Sequence, residues 1–383
     1  MTPTGPMTPT RLLGAYALVA GLVAAVFVGG ILLGNFRAVE RSDYMTYHVA
    51  ARLVLEGRGD CLYDVDCQAS EQRELIGEEP SFERGALPYN SPPWFAALVA
   101  PLGALPLGVG FAVFTLLGVV VLAAGTSRLA AAWNPLLAPL LVLTAWPTAM
   151  AVIRGQLTLL VAGLLALSVA AATYRSGVWL GLSALKPTLG PMWAAWQLLR
   201  WHPRAVGTAV VVLLALVALS AVVVSPQALL DYPAHLLGVA GTDAVGVHVD
   251  EMVNWRGAAE RLGVGGWLVA AGTLLSLALV AWVWLRTDAR CLGAAAAFLA
   301  TPLVIPHANQ HEAVLAAIGV LLLVTSSGVP RALAIAAVAS HAATWVGVVL
   351  DAPTAAWLLF ALQALWLVVA AWWLISRQER FNR

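Results

Sequence analysis

The chain has 383 residues, 61% of them hydrophobic and only 11% charged, with a formal net charge of +1. A water-soluble domain is about a quarter charged, so this composition excludes one, and the near-neutral balance excludes the basic footprint of a nucleic-acid binder. In lipid only helices and closed barrels satisfy the backbone, and the apolar runs here are continuous rather than alternating. That predicts an all-α, polytopic helical membrane protein forming one domain over residues 1–383.

The first apolar run, Leu12 to Gly34, follows a single Arg and is long enough to span. It reads as an uncleaved transmembrane helix, since a signal peptide has a shorter apolar core and a small-residue cleavage site. Further runs at 93–106, 107–125, 135–152, 157–174, 178–199, 205–224, 264–285, 291–306, 313–325, 332–350 and 355–376 bring the candidate spans to 12. Several are shorter than the roughly 20 residues of a full crossing. If 93–125 and 291–325 are re-entrant or broken, 10 spans result.

With alternating spans, Arg11, Arg200, Arg204, Arg286, Arg290, Arg331, Arg377, Arg380 and Arg383 share one side. The positive-inside rule makes that side cytoplasmic, together with both termini. Of the 20 acidic residues, 11 lie in 35–92 and 5 in 225–263. These segments form two extracytoplasmic loops, long enough to be functional rather than mere connections. The expected location is the plasma membrane, multi-pass, with the working face outside.

Immediately after the first span comes "RSDYMTYHVAARLVLEGRG", residues 41–59. Ser42 is the expected helix cap and Gly57 the stop. Asp43 and Tyr47 share a face of this helix, with Tyr44 and His48 on the next stripe. A carboxylate beside aromatic rings at a membrane boundary suits proton abstraction; an interfacial anchor helix is the competing reading. In "CLYDVDC", Cys61 and Cys67 predict a small disulfide on an oxidising side, with two free thiols as the alternative. Cys291 reads as a small buried residue.

In "LPYNSPPWFAALVAPLGALP", Pro92 and Pro93 open a helix, whereas Pro101 and Pro106 break or kink it. Arg154 interrupts two apolar runs; alternation puts it inside, but incomplete crossings would let it face the site. Lys186, in "VWLGLSALKPTLGPMW", lies within a span, where a charge costs roughly 2.5–3.5 kcal/mol and is functional by default. At that depth it could meet a lipid phosphate; a snorkelling or acid-paired Lys is the plainer reading. "VDEMVNWRG" offers Asn254 and Arg256 in the second loop. "TPLVIPHANQHEAVL" breaks an apolar stretch with His307, Asn309, Gln310, His311 and Glu312. His307 and His311 have metal-ligand spacing but no third ligand, so no metal site is expected.

Taken in order, these residues resemble glycosyltransferase family 87: Asp43 with Tyr44 and Tyr47, Leu62-Tyr63, Tyr89 through Phe95, Gly155-Gln156, Lys186-Pro187, and Thr301-Pro302 with His307 and His311. The likeness runs over about residues 12–375. That family is similar to other GT-C enzymes, helical membrane proteins that take a sugar from a polyprenyl-phosphate donor at the outer membrane face. Its members are known mainly as mannosyltransferases forming α-1,2 linkages onto glycolipids or glycans. The resemblance implies a GT-C-type bundle of 10–12 transmembrane helices with two extracytoplasmic loops, and Asp43 as catalytic base. Lys186, His307 and His311 would hold the donor phosphate. Tyr44, Tyr47, His48, Tyr89, Gln156, Asn254 and Arg256 would line the substrates. The partners implied are a polyprenyl-phosphate-sugar donor, a glycolipid or glycan acceptor and membrane lipids, with no nucleic acid. No cofactor is expected beyond the lipid-linked co-substrate, although a weakly held divalent cation is compatible with the sequence. A flippase or transporter for lipid-linked sugars, and a GT-C enzyme using arabinose or glucose, stay open as alternatives. The first would also need broken helices and a buried cation.

Overall fold

The computed structural model describes residues 9–34, 37–77, 86–239, 248–326, 330–348 and 350–381. Parts of both expected loops (35–36, 78–85 and 240–247) and Arg383 lie outside the described residues. All regular structure within them is helical. Five helical segments are long and apolar enough to cross a membrane: Leu13–Leu33, Leu107–Leu129, Pro203–Val223, Gly266–Arg286 and Ala352–Trp373. Between 50% and 89% of their apolar windows stays unburied by protein, as a lipid-facing surface requires, given that 11–50% is buried.

Helix α1 (Pro9–Gly34) leads through a short α2 (Arg37–Glu40) into α3 (Tyr44–Leu55). Ser42 does not cap α3: its hydroxyl donates to the Val39 carbonyl at 2.7 Å, and the residue at the cap position is Asp43, whose side chain makes no cap hydrogen bond. Gly57 does stop the helix, with φ +70. A turn at Gly59–Tyr63 and α4 (Val65–Ile76) fold back over α3. There Glu71 pairs with Arg58, and with Arg52 at 3.5 Å. Cys61 and Cys67 are bonded, with Cα atoms 5.9 Å apart. The buried Gln68 ties this cap to the next segment, donating to the Leu62 carbonyl at 2.6 Å and accepting from Tyr89 N at 2.6 Å.

The run at 93–106 does not cross. Helix α5 (Pro93–Val99) gives way at Ala100–Ala104 to a tighter turn containing Pro101. That turn lies hard against α3, where a Cβ on Gly103 would come 2.7 Å from the Ala51 backbone. Helix α6 (Leu107–Leu129) then starts at the same level, with Leu107 against Met45, Val49 and Leu53. It runs to the opposite end of the bundle. Helices α7 (Leu137–Leu143) and α8 (Trp146–Ile153) return as one interrupted pass, and α9 (Thr158–Ala170) descends parallel to α6. Gly118 there meets Leu159, and Gly125 meets Gly163 and Ala166.

Because 93–106 stays at one end, the following passes are reversed relative to strict alternation. Arg154, which strict alternation puts at the opposite end and incomplete crossings would let face the site, lies at the α3 end, where its carbonyl accepts from Tyr44 N at 3.3 Å. The order is restored at 178–199. In place of one span there are two short helices, α10 (Thr173–Leu182) and α11 (Pro191–Leu199), joined by a bend at Lys186 and Pro187. Helix α12 (Pro203–Val223) rises beside α10 and ends against Gly59 of the first loop. Helices α13 (Pro226–Val239) and α14 (Trp255–Arg261) form the second loop. Then α15 (Gly266–Arg286), α16 (Arg290–Val304), α17 (Val314–Thr325), α18 (Arg331–Thr344) and α19 (Ala352–Phe381) alternate in direction. Cys291, expected to be buried, is exposed at the start of α16. Arg200 donates to the Thr287 carbonyl and Arg290 to the Ser168 carbonyl, so these cations gather at the end opposite Asp43.

The α6–α9 contact depends on absent side chains: a Cβ on Gly163 would sit 2.6 Å from Leu122 N. Gly163→Val should cost about 1–3 kcal/mol through forced overpacking, read as a lower unfolding midpoint in detergent. His48 supplies a second expectation. It is buried, its Nδ1 has no hydrogen-bond partner among the described residues, and burial plus the Arg52 charge push its pKa down to about 4. The unfolded chain, with its His near 6.5, takes up a proton that the folded one refuses. Stability from this group is therefore complete above about pH 6.5 and falls as pH drops towards 4. Unfolding midpoints across pH 7 to 4.5 should fall more steeply in the wild type than in His48→Leu.

Candidate active site

Three chain segments that interrupt apolar runs converge at the α3 end. Asp43 comes from the start of α3, Gln156 and Thr158 from the α8–α9 turn, and Lys186 from the α10–α11 bend. The 3-10 turn Gln310–Ala313 adds His311 and Glu312. Their side chains form one continuous polar network. Gln156 Nε2 donates to Asp43 Oδ2 at 2.5 Å. The other end of the same amide, Oε1, faces Lys186 Nζ and the Tyr47 hydroxyl, each at 3.5 Å. With two donors on Oε1, the NH₂ group must point at Asp43, so the amide orients the carboxylate. Asp43 forgoes a cap interaction worth about 1 kcal/mol to hold this position.

The network is recessed. Thr158 begins α9 about halfway along α6, since Leu159 packs on Gly118. Gly155 makes the close approach possible: its φ is +60, and a Cβ there would lie 2.7 Å from the Tyr44 Cβ. Asp43 itself is half-buried at the lip.

At the inner side of the network, Glu312 is 1% exposed and fully engaged. Its Oε1 pairs with Lys186, with His311 Nε2 at 2.9 Å and with the Thr158 hydroxyl at 3.3 Å. Its Oε2 accepts from Asn309 N at 2.7 Å. Lys186 also donates to Thr158 Oγ1 at 2.9 Å. The ammonium expected at a donor phosphate, and His311 with it, are thus committed to a buried carboxylate. The turn Ser183–Leu185 stops at Lys186, with Pro187 next in the chain, and α16 stops at Val304 before the capping box of Asn309 and Glu312 opens the turn Gln310–Ala313. Both breaks fall beside side chains of the network.

The remaining candidates divide into two groups. Tyr47 faces the network, and burial, followed by the charge of Asp43, raises its phenol well above the usual range, so it remains a donor. Tyr44, His48 and Tyr89 lie behind it. Tyr44 and His48 pack together with ring centroids 5.9 Å apart, and the Tyr44 hydroxyl is buried without a partner among the described residues. Tyr89 is fully buried and donates to the Pro92 carbonyl at 2.9 Å. Asn254 caps α14 through Gly257 N at 2.9 Å and donates to the Ile305 carbonyl at 2.8 Å, which fastens the second loop to the His307 segment. His307 contacts Asn309 at 3.3 Å. Its pKa is lowered, first by burial, and in the same direction by Lys186, His311 and Arg256, against Glu312. Arg256 is half-buried near His307 and makes no hydrogen bond among the described residues.

Glu312 and Thr158 were not among the residues singled out as site residues. A carboxylate interrupting an apolar run was a visible signal for Glu312; Thr158 gave none.

A family model described as glycosyltransferase family 87 matches residues 89–308. The matched segment carries Tyr89, Gln156, Lys186, Asn254, Arg256 and His307, while Asp43, His311 and Glu312 flank it. No curated protein and no solved structure matches. The family model covers more than half of the chain, which therefore belongs to glycosyltransferase family 87, as a membrane glycosyltransferase.

Proposed function

We propose that the protein transfers a hexose, mannose in the first instance, from a polyprenyl-phosphate donor to a hydroxyl of a glycolipid or glycan at the outer membrane face. One observation carries this reading: a single half-buried carboxylate, Asp43, held at the lip of the bundle by an amide whose other end is fixed by Lys186 and Tyr47. Asp43 takes the proton from the acceptor hydroxyl. The oxygen forms a bond to the anomeric carbon as the bond from that carbon to the phosphate oxygen breaks, and the electron pair leaves with the phosphate. A β-linked donor gives an α-linked product. The arginines at the opposite end support an orientation with that end in the cytoplasm and Asp43 outside.

Lys186, His307 and His311 were expected at the donor phosphate. In the present reading Lys186 and His311 serve position instead of charge: they hold Glu312, and Lys186 fixes Gln156, which aims Asp43. His307, in the segment after α16, and Arg256, in the second loop fastened to it, are left to meet the substrates.

Asp43→Asn should lower transfer by about 10²–10⁴-fold, the usual contribution of a general base, with an unchanged unfolding midpoint. The assay is radiolabelled mannose from polyprenyl-phosphate-mannose into extractable lipid or glycan; near-normal transfer by the variant would sink the role. Lys186→Met leaves a buried carboxylate short of its partner and should cost about 3–5 kcal/mol. Adding Glu312→Gln should recover much of that stability but not the transfer rate. Full stability of the single variant would refute the ion pair, and recovered transfer in the double variant would refute the positioning role.

A further inference from the structure

A cavity of about 390 Å³ is bounded by α1, α8 and the start of α19. It falls within the usual 300–1,000 Å³ of small-molecule sites. Arg41, Arg154 and Gln310 line it, with Phe27, Ile31 and Met150 among its apolar walls. Each of the three polar residues stands two positions from a member of the network: Arg41 from Asp43, Arg154 from Gln156, Gln310 from Glu312. The cavity therefore shares three chain segments with the network.

Its polar groups are not equivalent. Both ends of the Gln310 amide are engaged, since its Oε1 accepts from Trp146 Nε1 at 3.0 Å and its Nε2 donates to the Ala352 carbonyl at 3.2 Å. It is wall. The guanidinium groups of Arg41 and Arg154 have no hydrogen bond or ion pair among the described residues. Two free guanidinium groups on one cavity match a phosphate, which each can engage bidentately. A phosphate monoester offers three terminal oxygens to the two groups, whereas a carboxylate offers two. The apolar wall distinguishes the source of the phosphate. Phe27 and Ile31 belong to α1, whose other faces present Leu22 at 67%, Val26 at 66% and Leu33 at 75% exposure to the lipid. A chain attached to the phosphate can thus pass along α1 into the membrane, whereas a free phosphate has no use for that wall.

We infer that Arg41 and Arg154 hold the phosphate of a long-chain lipid phosphate in this cavity, with the lipid chain leaving along α1. This rests on the proposed function, in which such a phosphate is the leaving group, and gives that group a seat on chain segments shared with Asp43 and Gln156, at two cations free to take it. The step itself is unchanged: the electron pair of the broken bond stays on the phosphate, now opposite two positive charges.

The test measures binding without transfer. Decaprenyl phosphate, decaprenol and inorganic phosphate are titrated against the detergent-solubilised protein by intrinsic tryptophan fluorescence. The inference expects decaprenyl phosphate to bind at least 100-fold more tightly than either of the others. Arg41→Gln and Arg154→Gln should each weaken it by tenfold or more, Arg→Lys at either position by less, and unfolding midpoints should stay at the wild-type value. Undiminished binding of decaprenyl phosphate to both Gln variants would overturn the site. Equal binding of inorganic phosphate would overturn the lipid source. Neither outcome touches Asp43, whose role is decided by the transfer assay, so the two proposals fail separately.

Discussion

A carboxylate that is 1% exposed inside a bundle of apolar helices cannot stand alone, and the arrangement around Glu312 follows from that constraint. The desolvation cost of a buried ion is several kcal/mol and is offset only by close, well-made partners. Glu312 has four: Lys186, His311, Thr158 and the Asn309 amide. They come from three different places in the chain. Satisfying one charge therefore fixes the α8–α9 turn, the α10–α11 bend and the 305–313 segment against one another. The geometry of Gln156, and through it the carboxylate of Asp43, is set by the same contacts.

Such convergence needs backbone breaks at membrane depth, which lipid does not tolerate unless protein or a water-filled cavity meets the freed groups. Here protein meets them. Gly155, with φ +60, lets the α8–α9 turn press on Tyr44 and Phe111. The Arg154 carbonyl is capped by Tyr44 N, and the Trp94 indole donates to the Ala184 carbonyl at 2.8 Å beside the Lys186 bend. The short helices α9, α10 and α11 are the consequence: α9 and α11 begin, and α10 ends, near the level where the polar residues are required.

The sequence was legible where one physical rule governed the outcome. Continuous apolar runs settled the helical class, and Gly57 marked the end of α3 by its conformation alone. Lys186 stood out because a charge in an apolar run needs a reason. The errors arose where a tertiary contact overrode a local signal. Ser42 bonds back to Val39, and so the cap position passes to Asp43, whose carboxylate goes to Gln156 instead. Residues 93–106 are apolar enough for a span, but Pro101, Pro106 and the packing of Gly103 on α3 hold them at one end. That one departure carries Arg154 to the same end as Asp43. Nothing local to "RGQ" could have shown it, since the direction of a pass depends on every pass before it.

A preorganised site separates groups that fix geometry from groups that meet changing charge. In this bundle the division follows burial. Lys186 is held by a carboxylate that almost no water reaches, and on the proposed function what it contributes is direction, through Gln156. Arg41, Arg154 and Arg256 are more open and have no ion-pair partner among the described residues. On the proposed function, a lipid-linked donor brings its own phosphate to the membrane boundary, and cations that remain free there can respond to it as the bond breaks. The most conspicuous charge in the sequence is therefore held in an ion pair, while Arg41, Arg154 and Arg256 are the cations that the proposed function leaves for the substrates.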